Sequence, residues 1–291
     1  MMTRLGVALF WLLHWLPLPI LARVGEALGL LIYVFALPRR RVAATNLRLC
    51  FPEMDAHARN RLLRLHFRML GRSLLERGLS WWASEARLRR LIRLTGLERV
   101  TAAKAEGKAV ILLAPHFVGL DIAGTRLAME GDFVSMYAHQ KNKVLDHWLY
   151  HGRSRFNDQM LLSRQDGVRS TVKAMRAGRP FFYLPDMDYG RKDAIFVPFF
   201  GVPAATITGL SRLARLAGAV VMPCTAHVRR DGSGYDVEIG EAWADYPTAD
   251  VEADTLRMNR WLEGAVKSMP EQYYWVHRRF KTRPLGEAKL Y

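Results

Sequence analysis

Ala109-Val110-Ile111-Leu112-Leu113-Ala114-Pro115-His116-Phe117-Val118-Gly119-Leu120-Asp121 decides how this chain folds. The aliphatic run at its start reads as a short buried strand. Pro115 ends that strand, and Gly119 permits a sharp turn. A helical pattern follows from Ile122 to Met129. His116 therefore sits where a strand hands over to a helix, with Asp121 five residues on. Five is a poor spacing for one helix face, which wants three or four. The two side chains meet only if His116 stays in the turn and Asp121 enters the first helical turn. The chemistry that wants such a pair is general base catalysis. A carboxylate fixes the imidazole tautomer, and the other ring nitrogen takes a proton from a hydroxyl.

Outward from this stretch, strands and helices alternate. Phe133–Tyr137, Met160–Leu162, Pro180–Leu184, Ala219–Val228 and Tyr235–Ile239 read as strands. Val144–Tyr150, Val168–Ala177, Thr206–Ala217 and Thr255–Met269 read as helices, two of them closed by Gly178 and Gly218. The alternation predicts an α/β fold, a mixed and mostly parallel sheet flanked by helices. Sites in such folds lie past the C-terminal ends of strands. His116 and the pair Asp186 and Asp188 both occupy that position. Turn capping around Pro185 and Gly190 is an equally local use for the two aspartates.

Residues 5 to 37 are overwhelmingly apolar, broken by Pro17 and Pro19. Leu5–Ala22 has the length of a bilayer span, at ~20 residues per span. Two short helices meeting at Pro17–Pro19 and dipping into one leaflet are the other geometry. Arg39-Arg40-Arg41 follows the block, which predicts an uncleaved anchor with the basic side and all that follows in the cytoplasm. From Arg39 to Arg99 there are fifteen arginines against five acids, a net +10 within a chain of net charge +16. Such a surface wants phosphates or an acidic protein. Ala58–Leu79 reads as a basic amphipathic helix, with Leu63, Phe67, Leu70 and Leu74 on one face. Arg61, Arg64, Arg68 and Arg72 fall on the other, which reads as the solvated face of a core-packed helix or, with Trp81-Trp82 following, as a stripe suited to a headgroup zone. The expected division is an anchor at 1–38, a basic helical membrane-proximal region at 39–100 and a catalytic α/β domain at 101–291.

Other chemistry finds no motif. There is no glycine-rich dinucleotide or phosphate loop and no G-x-S-x-G elbow. Cys50 and Cys224 are too isolated for a disulfide framework or a zinc site. His147 and His151 lack a third ligand nearby, so no metal is expected. Nucleic-acid binding would explain the charge but not the anchor.

At this point the residues carry a family resemblance. His116-Phe-Val-Gly-Leu-Asp121 resembles the H-x4-D/E motif of membrane acyltransferases acting on glycerolipids and lipid A. Three later blocks narrow it: Leu184-Pro-Asp-Met-Asp-Tyr-Gly190, Phe196-Val-Pro-Phe-Phe-Gly-Val-Pro-Ala-Ala-Thr206, and the stretch from Pro270 to Pro284 containing His277-Arg278-Arg279-Phe280. In this order they resemble the lauroyl/myristoyl, late-acting acyltransferases of lipid A biosynthesis over essentially the whole chain.

The resemblance implies a glycerolipid acyltransferase-like fold and no cofactor. It implies transfer of a fatty acyl chain from acyl carrier protein to a hydroxyl of an anionic lipid A precursor at the inner membrane of a Gram-negative bacterium. It further implies His116 as base with Asp121 as its orienting partner. Asn142, Arg153, Arg155 and Asp186 become substrate-binding positions. A lysophospholipid acyltransferase shares the H-x4-D chemistry but does not predict the Phe199-Phe200-Gly201 and His277-Arg278-Arg279-Phe280 blocks. A membrane-surface protein without catalysis has no need of the His116–Asp121 pair.

Overall fold

The computed structural model describes residues 2–163 and 166–291. In chain order the elements are α1 (Met2–Leu13), α2 (Leu18–Phe35), α3 (Leu37–Cys50), α4 (Ala56–Trp82), α5 (Glu85–Leu91), β1 (Ile92–Thr95) and α6 (Leu97–Ala105). There follow β2 (Ala109–Leu113), α7 (Leu120–Ala128), β3 (Val134–Met136), α8 (Lys143–Ser154), β4 (Met160–Leu162), α9 (Gly167–Arg176) and β5 (Phe181–Tyr183). The chain ends with β6 (Ala194–Phe199), β7 (Val202–Ile207), α10 (Gly209–Ala217), β8 (Ala219–Val228), β9 (Tyr235–Ile239), α11 (Val251–Ser268) and a 3₁₀ turn at Pro270–Gln272.

Seven strands form one sheet in the order β1-β9-β8-β2-β5-β3-β4, and only the β8–β9 pairing is antiparallel. This is the mixed, mostly parallel sheet the alternation predicts. Central strand β2 is buried along its whole length, as both-face coverage by helices demands. Ile111 and Leu113 join a core shared with Phe67, Phe181 and Leu262. Val110 and Leu112 point the other way, into a core shared with Leu79, Ile122 and Leu127. Each core draws on the helices that lie against that face.

Three expectations need correction. First, Thr206 and Ile207 begin no helix. They close β7, which pairs with β6 as a separate hairpin outside the main sheet. Pro198 and Pro203 disguise these strands as loop. They are paired with each other in a two-stranded ribbon, where a missing N–H is tolerated. Second, Arg72 is not on the solvated face of α4. It is fully buried, with Nε donating to Glu76 at 2.8 Å and Nη1 to the Arg229 carbonyl at 2.9 Å. Tyr235 donates to the same carboxylate at 2.8 Å. Trp81 is buried as well and stacks on Trp148 at 5.9 Å between ring centroids, so it is no headgroup anchor. Third, the sheet of the α/β domain starts before residue 101. Ile92–Thr95 is one of its strands, and Leu63 and Phe67 of α4 enter the core.

The apolar N-terminus is two helices rather than one span over Leu5–Ala22. The chain breaks at 14–17, where Pro17 precedes α2. Among the described residues, helix α2 alone has the length and composition to cross a membrane, with 18 residues of mean hydropathy 1.7. It is also fastened lengthwise to α4. A methyl group on Gly71 would sit 2.2 Å from the Gly25 carbonyl oxygen, and one on Gly29 would sit 2.0 Å from that of Phe67. Only hydrogen fits at these contacts, so the two backbones approach as closely as helices do.

Candidate active site

Strands β2 and β5 are parallel neighbours, with Leu113 opposite Tyr183. Each strand is followed by one residue and a proline: Ala114-Pro115 and Leu184-Pro185. The proline ends the ladder and the next side chain leaves the sheet. Those next residues are His116 and Asp186, still in the register of the strands that deliver them.

The two meet. His116 Nδ1 lies 2.6 Å from one Asp186 carboxylate oxygen, and the His116 backbone N–H donates to the other at 2.9 Å. Asp186 is 1% exposed. Burial pushes its carboxyl up. The facing His116 charge, its two hydrogen bonds and the more distant Arg279 outweigh that and hold the carboxyl below the usual range. An ionised carboxylate accepts, so Nδ1 carries the proton and Nε2 is the basic nitrogen. No described residue hydrogen-bonds Nε2, and His116 lines an open cleft with Leu120, Arg153, Phe182, Leu184 and Tyr189.

The expected pairing of His116 with Asp121 is therefore not the one formed. The Asp121 oxygens are taken by Arg77 Nε and Arg153 Nη2, each at 3.1 Å. Asp121 opens α7 one turn beyond His116, on a helix that faces α4 and α8 and so the arginines they carry. Burial alone would raise its carboxyl. The charges and hydrogen bonds of Arg153 and Arg77 bring it down to about 2. Arg153 also stands 5.5 Å over the Tyr137 ring and lines the cleft beside His116.

Two further candidates have other work. The Asn142 side-chain oxygen caps α8, accepting from Val144 and Leu145 N–H, and its amide donates to Thr3 at 2.7 Å. Arg155 donates to the Ser80 and Ala83 carbonyls at the end of α4, away from the cleft lining. A capping Asn and an Arg spent on helix-end carbonyls are structural uses. Asp188 does cap its turn, accepting from Gly190 N–H at 2.9 Å, and it also takes the Thr282 N–H at 2.6 Å.

The C-terminal stretch holds the His116 loop, a role that reading by sequence order alone missed. Tyr274 N–H donates to the His116 carbonyl at 2.9 Å, and Val118 N–H to that of Gln272 at 2.8 Å. Phe117 and Tyr273 bridge antiparallel between them, and burial, then the nearby Asp186 charge, push the Tyr273 hydroxyl well above its ordinary range. His277 Nε2 accepts from Asp188 N–H at 3.0 Å. Burial, and then the charge of His116, lower His277 to about 4, so it remains neutral at pH 7. Arg279 is buried against the β6–β7 hairpin, donating to the Ala205 carbonyl at 2.9 Å and to Thr206 Oγ1 at 2.8 Å. The three blocks that follow the H-x4-D stretch in sequence thus converge around it. Among the described residues no three His, Cys, Asp or Glu side chains converge as metal ligands. Both cysteines are buried, and burial pushes the Cys224 thiol up to about 12.

The sequence profile of the bacterial lipid A biosynthesis acyltransferase family matches residues 1–282. A lipid A biosynthesis lauroyltransferase of Escherichia coli is 35% identical over 291 residues, 100% of this chain and 94% of that protein. A palmitoleoyltransferase from the same organism is 34% identical over the same span, again 94% of its length. Its myristoyltransferase is 30% identical over 274 residues, 94% of this chain and 83% of that one. The crystal structure of a 1-acyl-sn-glycerophosphate acyltransferase from Thermotoga maritima aligns at 13% identity and a TM-score of 0.40, covering 86% of this chain and 97% of that one.

Proposed function

The chain belongs to the bacterial lipid A biosynthesis acyltransferase family, and is thus an acyltransferase; from that premise we propose that it moves a fatty acyl group from acyl carrier protein to a hydroxyl of a Kdo-lipid A precursor, with His116 as general base. The observation that carries the base assignment is the His116–Asp186 contact of 2.6 Å, which leaves Nε2 with no hydrogen-bond partner among the described residues on a side chain that lines an open cleft. Nε2 takes the proton of the acceptor hydroxyl as its oxygen attacks the thioester carbonyl. The tetrahedral intermediate collapses with cleavage of the C–S bond. The imidazolium returns the proton to the departing thiolate, so the products are an ester and the free carrier thiol. Asp186 keeps the tautomer fixed and stabilises the imidazolium while it exists.

The developing oxyanion needs a donor. Arg153 is placed for it. It lines the cleft with His116, and Asp121 holds its guanidinium from behind. The first turn of α7, which begins at Leu120 in the same cleft, adds the positive end of a helix dipole. Arg77, on the other side of Asp121, suits a phosphate of the acceptor.

We place the protein on the cytoplasmic side of the inner membrane, held by α1 and α2 in one leaflet. Leu5, Leu9, Trp11, Leu12 and Ile20 are exposed on these helices, as are Leu31, Val34 and Phe35, and Trp15 is exposed in the turn between them. The inner side of α2 is fastened to α4, whose Arg61 and Arg64 are exposed. A full crossing would drag those charges into hydrocarbon, which is costly. Insertion of the outer face alone is not. The exposed Arg39 and Arg41 lie just beyond α2, where anionic headgroups or an acidic carrier protein would meet them.

Purified protein offered dodecanoyl-acyl carrier protein separates the two acyltransferase readings. The expected result is transfer to a Kdo-lipid A precursor and none to lysophosphatidic acid, followed by mass spectrometry of the lipid product. Acylation of the lysophospholipid alone would support the glycerolipid reading and overturn this one.

A further inference from the structure

We propose that the outer faces of α9 and α10, which carry Arg169, Lys173 and Arg212 beside the mouth of the His116 cleft, form the docking surface for the acidic acyl carrier protein. The inference rests on the acyl-transfer reading above and deepens it.

Both helices follow one plan. In α9 Thr171, Ala174 and Met175 are buried, and Arg169, Lys173 and Arg176 are exposed. Spacings of four and then three place these cations on one stripe of the helix. In α10 Leu210, Leu213, Ala214 and Ala217 are buried, and Arg212 and Arg215 are exposed. The helices pack on each other. Arg176 Nη2 donates to the Leu216 carbonyl at 2.6 Å, tying the end of one helix to the end of the other. Together they carry five cations and no acid.

Little in the fold neutralises this surface. The Arg169 and Lys173 side chains make no hydrogen bond or ion pair among the described residues. Arg212 faces the exposed Asp193 at 3.7 Å. Elsewhere on the surface Arg89 holds Glu85 and Glu130, and Arg229 holds Asp236. Cations left without acids set up a field that steers an acidic protein to them.

The stripe borders the site. Gly167, Val168 and Thr171 of α9 line the His116 cleft, as do Gly209 and Leu213 of α10. Arg169 directly follows Val168, and Arg212 directly precedes Leu213. A carrier seated on the stripe holds its thioester arm at the cleft mouth. The membrane helices lie against other elements. α1 and α2 pack on α3, α4 and α8, whereas α9 and α10 pack on β2, β3, β8 and α11. A lipid surface is met by a helix whose outer side is rich in large apolar residues. The outer sides of α9 and α10 expose two, Val168 and Leu216. Charge with a little apolar area suits a protein partner instead. The acceptor then enters from the α1–α2 side and the donor from the α9–α10 side, so neither blocks the other.

The test compares purified full-length wild type with Arg169→Glu/Lys173→Glu and with Arg90→Glu/Arg93→Glu. The second pair makes the same charge change at exposed residues beside and within β1, the far edge strand of the sheet. Thermal melts establish that each variant is folded. Initial rates with dodecanoyl-acyl carrier protein and a Kdo-lipid A precursor give a KM for each substrate. Fluorescence anisotropy of labelled carrier gives its Kd with no acceptor present. The α9 variant is expected to raise the carrier KM and Kd by about tenfold or more, because attractions become repulsions, with kcat and the acceptor KM near wild type. Added salt should weaken carrier binding to wild type and affect the α9 variant less. The β1 variant should match wild type. A folded α9 variant with wild-type carrier KM and Kd overturns the inference. An equal loss in the β1 variant also overturns it, since the effect would then be one of net charge. So does a raised acceptor KM, or lost pelleting with phosphatidylglycerol vesicles, in place of the carrier defect, which would make the surface a lipid site. Wild type that binds the carrier yet transfers no chain from it would overturn the acyl-transfer reading, and the anisotropy measurement would still judge the surface.

Discussion

Asp186→Asn is expected to lower kcat by about two to four orders of magnitude while changing KM little, the range that a positioned acid–base group supplies. The amide can still accept from the His116 backbone N–H, so the loop keeps its shape. It cannot favour the Nδ1–H tautomer by charge or stabilise the imidazolium that forms when the acceptor hydroxyl is deprotonated. The defect should therefore lie in the chemical step, visible as a lost single-turnover rate with intact substrate binding. Near wild-type kcat in Asp186→Asn would show that the 2.6 Å contact with His116 has no part in the proton transfer.

Asp121→Asn is expected to act differently. It removes the anion shared by Arg77 and Arg153, leaving two guanidinium groups side by side. Arg153 then loses the partner that holds it at the cleft. The expected cost is about tenfold to a hundredfold in kcat, bounded by the loss of a whole oxyanion donor. Stability should fall too, with a sign fixed by linkage. The carboxyl titrates at about 2 in the folded chain against ~3.9 unfolded. Its contribution is therefore fully present above the unfolded value and is lost as pH falls toward 2. At neutral pH it amounts to about 2 kcal/mol at most, for a side chain still 22% exposed. Urea melts at pH 7 and pH 3 should show the wild type losing its advantage over Asp121→Asn as the pH drops. A pH-independent difference would mean that the substitution acts through packing instead. If Asp121→Asn costs more in kcat than Asp186→Asn, the assignment of the orienting carboxylate to Asp186 fails.

The contrast between these aspartates shows how far the sequence could be read. The strand at 109–113, the turn after Pro115 and the helix behind it are local, and period and punctuation reveal them. Strands Met160–Leu162, Ala219–Val228 and Tyr235–Ile239 are legible for the same reason. Spacing along the chain suggested Asp121 as the partner of His116 because it is near in sequence. Pairing across the sheet decides otherwise. Two parallel strands, each ending in a residue and a proline, deliver His116 and Asp186 to the same place. The repeated pattern Ala-Pro-His and Leu-Pro-Asp was the available signal. Using it requires knowing that β2 and β5 are neighbours, which no local pattern states.

Burial caused the misreading of Arg72 and Trp81. On α4 the arginine spacing is helical throughout, yet Arg72 is turned inward onto Glu76 and carbonyls of a distant hairpin loop. A 3.6-residue period separates faces but does not say which edge of a face another element will cover. Asn142 and Arg155 carry the right groups for substrate binding, and the caps and carbonyls near them claim those groups first.

We propose above all that His116, delivered by β2 and oriented by Asp186, is the general base for acylation of a lipid A precursor. Mass spectrometry of lipid A from a host strain lacking this protein tests it most directly, with wild type or His116→Ala expressed in its place. The account predicts that the deletion strain's lipid A lacks one acyl chain, that wild type restores it, and that His116→Ala, made to the same level in the membrane, does not. Unchanged lipid A in the deletion strain, or restoration by His116→Ala, would contradict it.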